Sequence, residues 1–159
     1  MSNTINKYLL SSILLIGTLF AYSAVALEFI DFYINEGTLF KVDNCITPNP
    51  VTTACFYGAF GFLVALIWNI RIVKKTDIQS KIKSKLFLTL FLLGGSIFAW
   101  YNNFSTLYNY FIVKPTSLVG CTGQIVTNPF TTPCFIGATI FTIAFIVSTV
   151  LYLNERRNN

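Results

Sequence analysis

Four long apolar runs alternate with short polar segments along the chain. Residues 8–27, 44–70, 86–113 and 115–154 contain no Asp, Glu, Lys or Arg. A helix needs roughly 20 predominantly apolar residues to cross the hydrocarbon core of a bilayer. The pattern therefore predicts an all-α membrane protein, in which four transmembrane helices form a single membrane domain over residues 1–159.

The first and third runs have related sequences. The stretch LLIGTLFAY of the first run recurs 78 residues later as LLGGSIFAW. A cleavable signal peptide would not recur in mid-chain, so we expect the first run to be a retained helix. The relation continues to Gly37 and Pro115, and either residue can end a helix. These stops predict helices over about 8–36 and 86–114.

An eleven-residue motif precedes the apolar parts of the second and fourth runs. It reads NPVTTACFYGA from Asn49 and NPFTTPCFIGA from Asn128, with eight identical positions. Because a proline biases the residue before it away from helical geometry, the helices are expected to begin after each Asn-Pro pair. The motif therefore predicts one way of entering a helix that is used twice.

The motif also predicts how these two helices begin. Thr53 and Thr132 are typical N-cap residues, whose side-chain oxygen accepts a hydrogen bond from the first turn. Pro133 would take the first helical position, where its missing N–H is not needed. The sequence predicts helices over about 54–72 and 133–153.

The chain is therefore predicted to be a tandem repeat of a two-helix hairpin, with repeat A over 1–73, a basic inner loop over 73–85, and repeat B over 86–159. Each hairpin crosses the membrane twice, so both copies have the same orientation and form a parallel repeat. Small residues let helices approach closely in lipid. The predicted helix-packing positions are Gly17, Ala21, Gly95, Ala99, Gly58 and Gly137.

Composition and charge place these helices in a membrane. Only 11% of the residues are charged, whereas soluble domains have about a quarter. Nine of the 11 Lys and Arg residues lie near the termini or between the second and third runs. The positive-inside rule then predicts cytoplasmic termini and extracytoplasmic cysteine loops. An Asn-, Lys- and Ile-rich composition favours a bacterial inner membrane. We expect lipid contact and no nucleic acid, despite the net charge of +5.

Metal and cofactor chemistry receives no support from the sequence. The chain has no histidine, which excludes imidazole ligands and the usual general base at neutral pH. It contains no phosphate-binding loop, nucleophile triad or metal-binding constellation. We therefore predict no metal, no catalytic residue and no cofactor for the leading hypothesis.

The four cysteines are the only recurring reactive groups, and all lie in predicted outer segments: Cys45, Cys55, Cys121 and Cys134. Four cysteines allow three connectivities. Repeat symmetry favours Cys45–Cys55 and Cys121–Cys134, and each bridge would clamp an outer loop to the following helix, worth about 3 kcal/mol in the chain-entropy model. Alternatively, Cys55 and Cys134 are redox-active, because a helix N-terminus favours a thiolate.

The layout resembles that of two families of membrane thiol oxidoreductases. Four helices, both termini on one side and two cysteine pairs on the other are similar to the disulfide-bond-formation and vitamin K epoxide reductase proteins. That resemblance implies thiol–disulfide chemistry beside a quinone. The present chain departs from these families because it contains no Cys-x-x-Cys pair and no basic residue near Cys55 or Cys134.

Three functional hypotheses follow from the sequence. The leading one is a small non-enzymatic, structural or accessory subunit, whose disulfide-stabilised outer face contacts a membrane-protein partner or a second copy of the chain. The alternative is a membrane thiol–disulfide oxidoreductase that uses a quinone. The third is a small oligomeric transporter or channel, which the absence of charge in the central turns disfavours.

Overall fold

The computed structural model describes residues 2–41, 48–113, 118–119 and 125–157. Four helices account for most of them, and they run over the following segments: α1, Ser2–Glu36; α2, Ala54–Lys74; α3, Ile78–Tyr108; and α4, Pro133–Arg157. Two strands of two residues each, β1 (Leu118–Val119) and β2 (Ile125–Val126), form an antiparallel pair before α4.

All four helices contain segments that are long and apolar enough to cross a membrane. These segments are Tyr8–Glu36, Ala54–Lys74, Ile78–Val113 and Pro133–Arg157. The finding confirms the predicted helical architecture with four candidate spans. It is the architecture expected of an integral membrane protein, with apolar helix surfaces suited to contact with lipid.

Helix α3 begins earlier than its sequence predicted. The expected basic loop over 73–85 is reduced to three residues, 75–77, because α3 starts at Ile78 rather than near residue 86. Asp77 is its N-cap, and one carboxylate oxygen accepts a hydrogen bond from the Ser80 amide at 2.9 Å. Because this segment is highly charged, its sequence predicted a loop rather than the capped start of a helix.

Ion pairs between helices stabilise the early start of α3. Lys81 Nζ lies 2.7 Å from Glu155 Oε1 on α4, and Lys85 pairs with the same carboxylate. Since the two lysines are four residues apart, they lie on one face of α3. Two of the basic residues that predicted a loop therefore join α3 to the last turns of α4.

The end of α3 also differs from a regular helix. The α-helical segment stops at Tyr108, and Asn109–Val113 continues it with π-helical geometry. Lys114, at the predicted end of this helix, lies outside the described residues. At the other stop, Gly37 has a φ of +69° directly after α1, the left-handed conformation that glycine adopts without steric cost.

The helices pack as a four-membered ring with a diagonal contact between α2 and α4. The most extensive contacts are between α1 and α2 and between α3 and α4, while α2–α3 and α1–α4 contacts close the ring. Helices α2 and α4 also meet across the centre. Phe62 and Phe141 form this diagonal contact, with ring centroids 3.9 Å apart.

The two central helices bury corresponding positions. The buried residues of α2 include Ala59, Phe62, Ala65 and Asn69. The residues 79 positions later are the buried set of α4: Ala138, Phe141, Ala144 and Ser148. Each set recurs at intervals of three or four residues, so it forms one stripe along its helix.

Two glycines allow the central phenylalanine rings to approach α1 and α3. A Cβ atom on Gly17 would lie 2.6 Å from Phe62 Cε1, and one on Gly95 would lie 2.7 Å from Phe141 Cε1. Such distances are too short for a side chain, so both positions require glycine as long as the rings stay in place. These two glycines make the close contacts expected of packing positions.

Two other predicted packing positions face open space instead. A Cβ atom on Gly58 or Gly137 would meet no atom within 4 Å, and both glycines line a cavity. The prediction that they pack against a neighbouring helix is therefore wrong. Ala21 and Ala99 line the same cavity, so small residues here leave space as well as permit contact.

Candidate functional site

A 3₁₀ turn and a threonine cap position the first residues of α2. Asn49 Oδ1 accepts a hydrogen bond from the Val51 amide at 3.1 Å, which closes the turn. Thr53 Oγ1 then accepts from the Phe56 amide at 3.3 Å and caps the helix. Cys55 is consequently the second residue of α2, one of the positions at which unpaired amides make the surroundings electropositive.

The same hydrogen bonds position the first residues of α4. Asn128 Oδ1 accepts from the Phe130 amide at 3.0 Å, and Thr132 Oγ1 accepts from the Phe135 amide at 3.3 Å. A proline takes the first position of α4, and Cys134 follows it as the second residue. The repeated motif therefore places its two cysteines at equivalent positions of the two central helices.

The two cysteines meet between the helix N-termini. Cys55 Sγ lies 3.3 Å from Cys134 Sγ. Cys55 is a free thiol, whereas Cys134 takes part in a disulfide bond. Each cysteine is seven residues before the phenylalanine of the central contact, two helical turns away. The diagonal between α2 and α4 therefore carries a sulfur pair at one end and a pair of aromatic rings below it.

The predicted Cys45–Cys55 bridge is wrong for this structure, since Cys55 carries a free thiol. Its side chain lies next to Cys134 on α4 and Glu28 on α1. Cys45 and Cys121 lie outside the described residues, so the Cys121–Cys134 pairing stays a prediction. The sequence placed each cysteine correctly in its own helix, but it did not indicate that the two helices meet there.

A carboxylate from α1 completes the polar part of the site. Glu28 Oε2 accepts a hydrogen bond from Thr53 Oγ1 at 2.8 Å. Glu28 Oε1 is buried and accepts no hydrogen bond, and the Cys55 thiol lies close enough to interact with this carboxylate. The cap of α2 thus connects Glu28 to the sulfur pair. The sequence pattern did not indicate this role of Glu28, although the residue follows the charge-free run of α1 directly.

A cavity of about 650 Å³ lies between the helices next to the cysteines. All four helices contribute to its wall, which includes both Cys55 and Cys134. Small residues and phenylalanine rings form much of the remaining wall, among them Ala24, Gly58, Gly137, Phe62, Phe98 and Phe141. The volume is in the range of small-molecule sites, roughly 300–1,000 Å³.

The cavity is apolar and reaches the surface of the bundle. Apart from the cysteines, its polar lining side chains are Tyr57 and Asn102. Two of its rings are also well exposed, Tyr57 at 56% and Phe98 at 45%, so the cavity extends to the outer surfaces of α2 and α3. In a bilayer such a surface faces lipid. The geometry suits an apolar ligand that enters from the membrane, in contact with sulfur.

Hydrogen-bonded hydroxyl groups join α3 to α4 below the site. Thr89 and Ser148 hydroxyls lie 2.7 Å apart, and Thr142 Oγ1 accepts from Trp100 Nε1 at 2.9 Å. Nearer the cysteine end, Asn103 is completely buried and neither of its amide atoms has a hydrogen-bond partner. The hydroxyl pairs are structural contacts, and among the described residues no cluster of potential metal ligands is present.

Comparison of the chain with protein-family models, with curated proteins and with solved structures finds no match. Its fold and site therefore define it only at the level of class. It is a four-helix protein with candidate membrane spans, and its central helices bring two cysteines together at the wall of an apolar cavity.

Proposed function

We propose that this protein is a membrane thiol–disulfide oxidoreductase whose reactive centre is Cys55 and Cys134. The observation that carries the proposal is the 3.3 Å distance between a free thiol sulfur and a sulfur engaged in a disulfide. Reacting atoms held about 3–3.5 Å apart have the separation of a near-attack arrangement. A purely structural clamp would not require a free thiol at this position.

The geometry supports an internal exchange between the two sulfurs. The Cys55 thiolate attacks Cys134 Sγ, a new Cys55–Cys134 bond forms, and the former partner of Cys134 leaves as a thiolate. This step conserves electrons, because one disulfide replaces another. Under the predicted Cys121–Cys134 pairing, Cys121 is the leaving cysteine. Exchange of this kind carries oxidising equivalents between an outer loop and the centre of the bundle.

The cavity is suited to bind a lipid-soluble electron carrier of the quinone class. The resemblance in layout also implies a carrier of this class. Its lining is apolar and aromatic, its volume accommodates a ring, and both sulfur positions lie on its wall. Once a substrate dithiol has reduced the disulfide of Cys134 and become a disulfide itself, Cys55 and Cys134 are both thiols. A bound quinone would then take two electrons and two protons from these two thiols, which form the Cys55–Cys134 bond, and would leave as the quinol. The phenylalanine rings would hold the carrier by stacking and burial, while the cysteines supply the reducing groups.

The proposal includes an orientation in the membrane. The basic segments next to α2 and α3 favour cytoplasmic termini and an extracytoplasmic cysteine end, in the inner membrane of a bacterium. The corresponding buried positions of α2 and α4 support the view that the two halves are copies of one helical hairpin. Disulfide chemistry is compatible with this orientation, because disulfides persist on the extracytoplasmic side.

The test is to determine the cysteine connectivity in native membranes. Membranes are quenched with acid, free thiols are alkylated, and peptides are analysed by mass spectrometry without reduction. We expect a population with a Cys55–Cys134 bridge beside a population in which Cys55 is alkylated, and we expect added quinone to increase the bridged fraction. Cys55 that is alkylated completely under every condition would overturn the proposal.

The accessory-subunit and transporter hypotheses stay predictions. The first rested on a rigid outer face, whereas the cavity lies between the helices. For the second, Asn69 donates to Ser11 Oγ at 2.8 Å and the Thr89 and Ser148 hydroxyls lie 2.7 Å apart, so these polar groups are bonded to each other, whereas Asn103 has no partner. Purification of one stable complex in which the cysteines do not exchange would favour the accessory-subunit hypothesis.

A further inference from the structure

The two cysteines occupy equivalent helix positions but have different neighbours on the packed helices. The spacing of 78 residues that relates α1 to α3 places Thr106 opposite Glu28. Thr106 is almost completely buried, but a hydroxyl group is a far weaker proton acceptor than a carboxylate. The acidic group beside Cys55 therefore has no acidic counterpart at the equivalent position of α3.

The arrangement of Glu28 leaves one oxygen available for the thiol. Its Oε2 is held by Thr53 Oγ1 at 2.8 Å, while Oε1 is buried without a hydrogen bond. The ion pairs among the described residues do not involve this carboxylate. A buried carboxylate without a cation readily accepts a proton, because burial disfavours its charge. The Cys55 thiol interacts with this carboxylate.

We infer that Glu28 is the proton acceptor for Cys55, which makes Cys55 the attacking sulfur and Cys134 the attacked one. The inference rests on the proposed function, since it assigns roles within the same exchange. The Cys55 S–H bond breaks and an O–H bond forms on Glu28. At the same time, the Cys55–Cys134 bond forms and the former partner of Cys134 leaves with the electron pair.

The location of the site explains why a base is needed. A thiolate next to an apolar cavity is poorly solvated, and the adjacent carboxylate opposes a second negative charge. Transfer of the proton to Glu28 during attack avoids the state in which both groups are charged. The N-terminus of α2 favours the developing negative charge on Cys55 Sγ. The helix N-terminus and Glu28 therefore both promote loss of the thiol proton.

The test compares Glu28→Gln with the wild-type protein in a pH-jump experiment. Protein in lipid vesicles is held at low pH, where thiols are protonated, and is then transferred to a series of higher pH values. Samples are quenched with acid and alkylated, and the Cys55–Cys134 peptide is quantified. General-base catalysis typically contributes 10²–10⁴-fold. We expect E28Q to form the bridge about 100-fold more slowly at neutral pH.

The pH profile separates a chemical role from a structural one. Without the carboxylate, hydroxide must remove the proton, so the E28Q rate should rise about tenfold per pH unit. The wild-type rate should depend less on pH, and Glu28→Asp should recover part of it. Glu36→Gln is the matched control, because Glu36 is a carboxylate of the same helix that pairs with Lys41. It should leave the rate unchanged.

The outcomes distinguish this inference from the proposed function. If E28Q forms the bridge at the wild-type rate and with the wild-type pH profile, the role of Glu28 is refuted and the exchange itself stands. If neither protein forms the bridge at any pH, the proposed function fails and the inference fails with it. A slow E28Q variant with a wild-type pH profile indicates misplaced sulfurs, and it also refutes the proton-acceptor role.

Discussion

At the scale of single residues, equal sequence positions do not have equal chemistry. Cys55 and Cys134 follow the same cap in the same motif, yet Cys55 is a free thiol beside Glu28 and Cys134 is part of a disulfide. Two adjacent glycines of α3, Gly94 and Gly95, also differ in their surroundings. A Cβ atom on Gly95 would meet the Phe141 ring, whereas one on Gly94 would meet no atom within 4 Å.

These adjacent glycines provide a matched pair of variants. Gly95→Ala should destabilise the protein by about 1–3 kcal/mol, because the new methyl group overpacks the contact with Phe141. Gly94→Ala should be neutral or slightly stabilising, since alanine favours the helix and fills open space. Thermal unfolding in detergent measures both. Equal melting temperatures for the two variants would contradict the close approach of α3 to α4.

At the scale of elements, hydrogen-bonded caps decided the helix boundaries more than hydrophobicity did. Thr53 and Thr132 were predicted from the sequence as caps, and each hydroxyl accepts a hydrogen bond from its first turn. Asp77 acts in the same way at the start of α3, but it stands in a charged segment that was interpreted as a loop. The apolar run marked only the part of α3 that is suited to lipid.

Removal of the Asp77 cap tests the early start of α3. Asp77→Ala should cost about 1 kcal/mol, the typical value for loss of an N-cap. Hydrogen exchange should become faster at the amides of residues 78–81, while amides in the middle of α3 stay protected. Thr76→Ala, at the neighbouring uncapped position, serves as the control. Unchanged exchange in Asp77→Ala would show that the first turns do not depend on this carboxylate.

At the scale of the whole molecule, four helices enclose a space that no single helix defines. Glycines and alanines from all four helices were identified as candidates for close packing, and some of them make it. Others, such as Gly58 and Gly137, line the cavity instead. The central contact between Phe62 and Phe141 holds α2 and α4 together on one side of the cavity, and the sulfur pair lies near their N-termini.

Filling the cavity should weaken quinone binding without stopping the exchange between the two cysteines. Gly137→Leu places a side chain in open space, so the fold should be retained while binding of a short-chain quinone weakens at least tenfold. Exchange between Cys55 and Cys134 should continue, because it needs no ligand. Val64→Leu, on the exposed surface of α2, is the control. Quinone titration by fluorescence quenching measures binding, and wild-type affinity in Gly137→Leu would exclude this cavity as the site.

The sequence by itself determined the local features of this protein. Charge-free runs determined the four candidate spans, and the threonines of the repeated motif determined where α2 and α4 begin, because both depend on neighbours along the chain. The tertiary structure decided which positions meet. The contact between Cys55 and Cys134 joins residues 79 apart, and Glu28 reaches Thr53 only through the packing of α1 on α2. Such contacts depend on how helices cross, which periodicity within one helix does not specify.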